Sequence, residues 1–274
     1  MASGFAIVTP ASRGLGFAFA RQLLAQTNLP VVATARRDCD EVRSDLVNGI
    51  TTSQKADERL HVFKVDVTDE SAISSMVSNI RDVHPDTHLR LAITVPGTLH
   101  VEKTPSQIDY LKALDSFKTN SLAPMLLMKH LSPLLPTKSA APFLDTPSSP
   151  SHPEDSLQLP THAIYAMMAA RVGSISDNAT GGWYSYRASK AAVFQLAKTF
   201  DLHLRTRSRD RALAVAMHPG TVQTDFTRDY WEGRDMLQPH EAADRLLRVI
   251  CAMGAGPDEG RGRCWDWKGE EVLP

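Results

Sequence analysis

The chain has 274 residues, 42% hydrophobic and 22% charged, with 30 Lys and Arg against 31 Asp and Glu. That length suits one well-buried α/β domain and is short for two, and a net charge of −1 gives no bulk attraction to nucleic acid or anionic membrane. No apolar run approaches the roughly 18 residues of a membrane span, and the N-terminus lacks the charged segment of a signal peptide. Cys39, Cys251 and Cys264 form no CxxC pair and are odd in number, so a reduced, cytoplasmic setting is expected. The ten histidines are scattered, and no metal site is expected.

Phe5–Thr9 is a short apolar run before a glycine-containing turn, as a buried strand requires. Gly14 to about Thr27 reads as a helix with Leu15, Phe19, Leu23 and Leu24 on one side. A second strand (30–34), a second helix (39–47), a third strand (61–65) and a helix (70–83) follow, then a fourth strand (89–93). Strands alternating with helices indicate right-handed βαβ units in a parallel sheet. Helices are expected over 105–118 and 120–135. Residues 136–160, rich in Pro and Ser, read as an irregular insertion. A strand over 163–170, a long helix ending near Arg207, a strand over 213–217, a helix over 239–252 and a last strand over 263–267 complete a doubly wound, Rossmann-like single domain, 1–274. His218-Pro219-Gly220 reads as a turn.

Two local patterns carry chemistry. Thr9-Pro10-Ala11-Ser12-Arg13-Gly14-Leu15-Gly16 joins the first strand to the first helix. Glycines there let backbone N–H groups approach a pyrophosphate, and the helix N-terminus adds positive potential. About 20 residues on, where an acid would select the unphosphorylated cofactor, stand Arg36 and Arg37, with Asp38 as the competing acid. With Arg13 they suit a 2′-phosphate, which favours NADP(H). The second pattern is Tyr186-Arg187-Ala188-Ser189-Lys190, which puts a phenol and an amine on one helical face. The ammonium is expected to pull the phenol pKa down from roughly 10.

Taken in order, the glycine-rich turn, Asp66-Val67, Asn120, the Tyr186/Lys190 pair and Pro219-Gly220 with Thr224 resemble the short-chain dehydrogenase/reductase family over almost the whole chain. The stretch from Arg171-Val172-Gly173-Ser174-Ile175-Ser176 to Gly181-Gly182-Trp183-Tyr184-Ser185-Tyr186 is similar to the sniffer/C-factor-like branch and to fungal biosynthetic members. The resemblance implies that Ser12, Arg13, Gly14, Leu15 and Gly16 bind the pyrophosphate end of the cofactor. It implies that Asp66 and Val67 meet the adenine, that Gly97 lies against the cofactor, and that Val222 and Thr224 bind the nicotinamide amide. Tyr186 would be the catalytic acid/base, Lys190 would bond the nicotinamide ribose, and Asn120 would hold a water linked to Lys190. Residues 221–236 would form the substrate lid, with Trp183, Phe226 and Trp231 as pocket aromatics.

Three departures stand out. Pro10 replaces the first glycine of the turn, and Thr94-Val95-Pro96-Gly97 replaces the bracing amides after the fourth strand. The usual serines at the end of the fifth strand are Ala169-Ala170. Ser174, twelve residues before Tyr186, is therefore chosen as the carbonyl-orienting hydroxyl, with Ser176 as runner-up. The leading reading is an NADPH-dependent reductase of a ketone or aldehyde on a small organic molecule, such as a secondary metabolite. The rivals are an enzyme adapted to imine reduction or cyclisation, and a non-catalytic binding protein. The family commonly forms homodimers or homotetramers, with residues 105–135 and 183–207 as the matching surfaces here.

Overall fold

A computed structural model describes residues 4–50, 55–144, 157–230 and 236–274. The centre of the Pro/Ser-rich insertion and the lid residue Trp231 lie outside the described residues. The elements run β1 (Phe5–Thr9), α1 (Gly14–Gln26), β2 (Val31–Ala35), α2 (Cys39–Val47), α3 (Ala56–Arg59), β3 (Leu60–Lys64), α4 (Glu70–Val83) and β4 (Leu89–Thr94). Then come α5 (Tyr110–Phe117), α6 (Ala123–Leu131), β5 (Ala163–Met168), α7 (Tyr184–Arg207), β6 (Ala212–His218), α8 (Pro239–Cys251) and β7 (Cys264–Asp266). All seven strands pair in parallel in the order β3-β2-β1-β4-β5-β6-β7. The order reverses between β1 and β4, and the crevice above their carboxyl ends is where such sheets bind ligands.

The strands are apolar on both faces because both faces are covered. Ile7, Val32, Ala92, Tyr165, Met167 and Ala216 face Ile73, Ile80, Leu127, Val193, Ala197 and Phe200 of α4, α6 and α7. Ala6, Val8, Ala33, Ile93, Ala166 and Val215 face Phe19, Leu23, Leu46, Leu246 and Ile250 of α1, α2 and α8. Threonines brace the sheet where the family's amides are missing. Thr9 Oγ1 and Thr34 Oγ1 lie 2.7 Å apart across β1 and β2, and Thr94 Oγ1 donates to Ala166 O at 3.3 Å across β4 and β5.

The two predicted central helices prove to be one interrupted column. A turn at Pro105–Gln107 leads to α5, and a π-helical turn, Lys118–Leu122, joins α5 to α6. A π turn carries an extra residue and re-aims the side chains inside it. The four-residue α3 was not expected from the sequence. It places Arg59, 7% exposed, where its guanidinium donates to Leu24 O, Thr27 O and Leu29 O and closes the end of α1. Other boundaries move by one or two residues, β5 ending at Met168 where 170 was expected. The described ends of the insertion are pinned by buried Arg90, which donates to Leu159 O and Pro160 O and lies under the Phe143 ring.

Candidate active site

A cleft of about 870 Å³ opens above the carboxyl ends of the strands, with walls from the β1–α1 turn, the loops after β2 to β6, and α7. At the turn, Gly14 has a φ of +57°. A Cβ on Gly16 would stand 2.0 Å from the Pro10 carbonyl oxygen, so only glycine lets the first turn of α1 pack this close. Pro10 follows Thr9 through a cis peptide, and Ala11 N donates to Thr34 O at 2.8 Å. Ser12, Arg13, Gly14, Leu15 and Gly16 all line the cleft.

Arg36, after β2, lines the same end and is exposed, as is Arg13 at the N-cap of α1. Arg37 and Asp38 do not line the cleft, and Asp38 takes the left-handed N-cap position of α2 instead. Asp66 and Val67 lie opposite in the wall. Asp66 Oδ1 accepts from Thr68 N at 2.9 Å and from Thr68 Oγ1 at 2.7 Å. Those bonds, the backbone one foremost, and the Arg36 charge hold its carboxyl below the ordinary range.

Tyr186 and Lys190 sit one turn apart on α7, 6% and 3% exposed, and both line the cleft. Lys190 Nζ donates to Met168 O at 2.9 Å and reaches Pro96 O at 3.5 Å. Trp183 stands edge-on to the Tyr186 ring at 6.0 Å, and Phe226 from the lid lies tilted to it at 6.0 Å. The expected depression of the Tyr186 pKa is not what this environment produces. Burial pushes it above the ordinary phenol value, and burial also brings Lys190 down to about 8. Desolvation disfavours each charged form, and it is the cause of both shifts.

Asn120 sits in the π turn, fully buried, and does not line the cleft. Its Oδ1 accepts from Thr98 N at 2.8 Å, and its Nδ2 donates to Thr98 O and Ser189 Oγ, both at 2.9 Å. Its side chain is therefore a strut between the loop after β4 and α7. Gly97 lies at the crossing of these parts. A Cβ there would be 3.7 Å from Phe226 Cε2 and 3.9 Å from Lys190 Nζ. Val222 and Thr224 line the cleft under the lid, and the Thr224 methyl approaches Gly14. The lid's described part forms a short 3-10 helix, Asp225–Tyr230.

Neither serine candidate joins Tyr186. Ser174 is 2% exposed, its Oγ accepts from Asp177 N at 3.0 Å, and it is not among the cleft residues. Ser176 is exposed, and its Oγ donates to Pro274 O. A 3-10 turn, Arg171–Gly173, bends the chain away from the cleft just before them. Met168, Ala169 and Ala170 at the end of β5 do line it, with His218 from β6. Sequence reasoning read His218 only as part of a turn. Ser189 stands in the quoted Tyr186–Lys190 run without a role of its own, and no local pattern marks Glu102.

A family model described as short chain dehydrogenase matches residues 4–149. The chain belongs to the short-chain dehydrogenase family. Among curated relatives, it is 39% identical over 88 residues to 1-hydroxy-2-glutathionyl-2-methyl-3-butene dehydrogenase of Rhodococcus sp. (strain AD45), covering 32% of this chain and 38% of that protein. It is 37% identical over 108 residues to the C-signal protein of Myxococcus xanthus, covering 39% and 58%. The matches thus span less than two thirds of those relatives. Among solved structures, the carbonyl reductase Sniffer of D. melanogaster superposes with a TM-score of 0.77 at 24% identity, covering 100% of both chains. NADPH-bound carbonyl reductase from chicken fatty liver gives 0.76 at 24%, again covering 100% of both chains. The structural likenesses bear out the fold, and the family model bears out the short-chain dehydrogenase resemblance.

Proposed function

We propose that the protein is an NADPH-dependent reductase of a ketone or aldehyde on a small organic molecule. The single observation that carries the reading is the buried Tyr186/Lys190 pair in the wall of a cleft whose other end is the glycine turn. The turn suits a dinucleotide, since Gly14 and Gly16 keep side-chain bulk out of the cradle. Arg13 and Arg36, two exposed cations at its rim, suit a 2′-phosphate. The NADPH-bound chicken reductase supports the same choice.

When bound, the cofactor supplies a hydride to the carbonyl carbon, and the C=O π pair moves onto oxygen. Tyr186 donates its proton to that oxygen. Its raised pKa keeps it protonated at neutral pH, which suits a donor. Lys190 retains N–H capacity beyond its two carbonyl contacts, for a ribose hydroxyl or the phenolate left behind. Val222 and Thr224 would hold the nicotinamide amide, with Asp66 and Val67 at the adenine. The aromatic flank of Trp183 and Phe226 favours an apolar substrate. Residues 221–236 act as the lid and 136–160 as a surface insertion in this reading.

A second reading is favoured by Ala169 and Ala170, which bring no hydroxyl to the cleft. It is reduction of an imine, where the acceptor is nitrogen. Titration with NADPH and NADH, then a panel of carbonyl and imine compounds followed at the nicotinamide absorbance, tests both. Tight NADPH binding with ketone or aldehyde turnover is expected. NADPH binding without oxidation by any panel member would overturn the reading.

A second copy of the chain is the proposed partner, as homodimer or homotetramer. Tyr110, Leu111, Leu114, Phe117, Leu122 and Met125 expose apolar surface along α5, the π turn and α6. Analytical ultracentrifugation checks it. No helix among the described residues is long and apolar enough to cross a membrane, and the proposed setting is the cytoplasm.

A further inference from the structure

We propose that the His218 ring supplies the hydrogen bond that orients the substrate oxygen, standing in for the hydroxyl absent from the end of β5. The inference rests on the carbonyl-reductase reading above.

The sheet register carries the argument. Met168 of β5 pairs with Met217 of β6, and Ala169 N donates to Met217 O at 2.8 Å, which extends the ladder one step. Ala169 and His218 are therefore neighbours across the two strands. Side chains alternate along a strand, and paired residues share a face. Met167, Ala169 and Ala216 belong to the layer under α7, so His218 projects to the side that carries Tyr186 and Lys190. All four residues, Ala169, His218, Tyr186 and Lys190, line the one cleft. Ser174 and Ser176 are engaged with Asp177 N and Pro274 O.

The ring's protonation pattern follows from its contacts. His218 Nδ1 accepts from Arg171 N at 3.2 Å, so the neutral ring carries its proton on Nε2. No hydrogen bond to Nε2 is found among the described residues. The groups around the ring are Arg171, Asp266 and Asp177, and Arg171 is itself bonded to Asp266 at 3.0 Å. Burial and the Arg171 charge outweigh the two carboxylates and lower the pKa to about 4. At neutral pH the ring thus offers one N–H donor without a charge. A carbonyl oxygen that gains electron density as hydride arrives is the acceptor such a donor fits.

A purely structural role would be the bridge from β6 to Arg171 N. His218→Asn separates the two. Asn Oδ1 can accept from Arg171 N, but no atom of Asn reaches the Nε2 position. The test measures kcat, KM and NADPH affinity of the full chain and its variants on the best-turned-over ketone of the panel. His218→Asn is expected to lower kcat by about 10²–10³, the effect of losing one preorganised donor, with NADPH affinity unchanged. His218→Asn/Ala169→Ser, which returns a hydroxyl to the neighbouring position, is expected to recover most of that loss. Near-wild-type kcat in His218→Asn overturns the proposal, and so does a loss that Ala169→Ser leaves unrescued. Tyr186→Phe is run beside them. Retained turnover in that variant defeats the carbonyl-reductase reading itself, whatever the His218 variants do.

Discussion

Glu102 caps α7 from 83 residues away: its Oε2 accepts from Ser185 N at 2.7 Å and its Oε1 from Ser185 Oγ at 2.5 Å. The N-cap residue Trp183 has a φ of 52° and makes no side-chain cap bond, while its N–H donates to Glu102 O at 2.6 Å. A buried carboxylate at a helix N-terminus satisfies orphan N–H groups and meets the positive end of the helix dipole. Because Ser185 precedes Tyr186, the loop after β4 also sets where the phenol stands.

Glu102→Ala is therefore expected to destabilise the protein by about 1–3 kcal/mol, since it strands a buried N–H. It should also lower kcat by loosening the start of α7. Chemical denaturation beside steady-state kinetics checks both. Glu102→Gln, which keeps an acceptor, should lose less. Equal stability of wild type and Glu102→Ala would show that the cap is not needed.

Tyr186→Phe removes one hydroxyl from a ring already held by Trp183 and Phe226. Turnover is expected to fall by about 10²–10⁴, the usual worth of a positioned proton donor. NADPH affinity should stay near wild type. Single-turnover absorbance and a fluorescence titration give the two readouts.

Arg36→Ala and Arg13→Ala are each expected to weaken NADPH binding about 10–100-fold, through loss of a charge-assisted bond. NADH binding should hardly change. Calorimetric titration with both dinucleotides decides. A parallel loss for NADH would mean that the arginines support the turn and do not read the phosphate.

Lys190 has its pKa brought down from 10.5 to about 8 by burial. The unfolded chain holds that proton more tightly, so between about 8 and 10.5 it binds more protons than the folded one, and stability rises with pH there. The full penalty is present below about 8. Lys190→Met is expected to be more stable than wild type at pH 7 by about 1–3 kcal/mol, while nearly inactive. The gap should shrink as the pH approaches 10. Thermal melts across that range test it, and a less stable Lys190→Met at neutral pH would contradict it.

Much of this was legible in the chain. Runs such as Phe5–Thr9 and Val31–Ala35 are buried on both faces, so composition alone marks them as central parallel strands. Tyr186 and Lys190 had to share a face because helix geometry is local. The position of Ser174 was not legible, because spacing along a chain measures contour length and not direction. The turn at Arg171–Gly173 sends Ser174 Oγ to Asp177 N. The Tyr186 pKa went the other way from expectation, since a sequence shows an ammonium nearby but not how little water reaches it.

The sequence by itself determined what depends on neighbours within a few residues: strand and helix periodicity, the glycine cradle, the arginines after β2, and the Tyr186/Lys190 face. Tertiary structure decided what depends on distant segments meeting. Glu102 reaches Ser185, Asn120 joins Thr98 to Ser189, and His218 comes beside Ala169. Such contacts have no local signature, because hydrogen-bond partners and desolvation are set by packing among segments far apart in the chain.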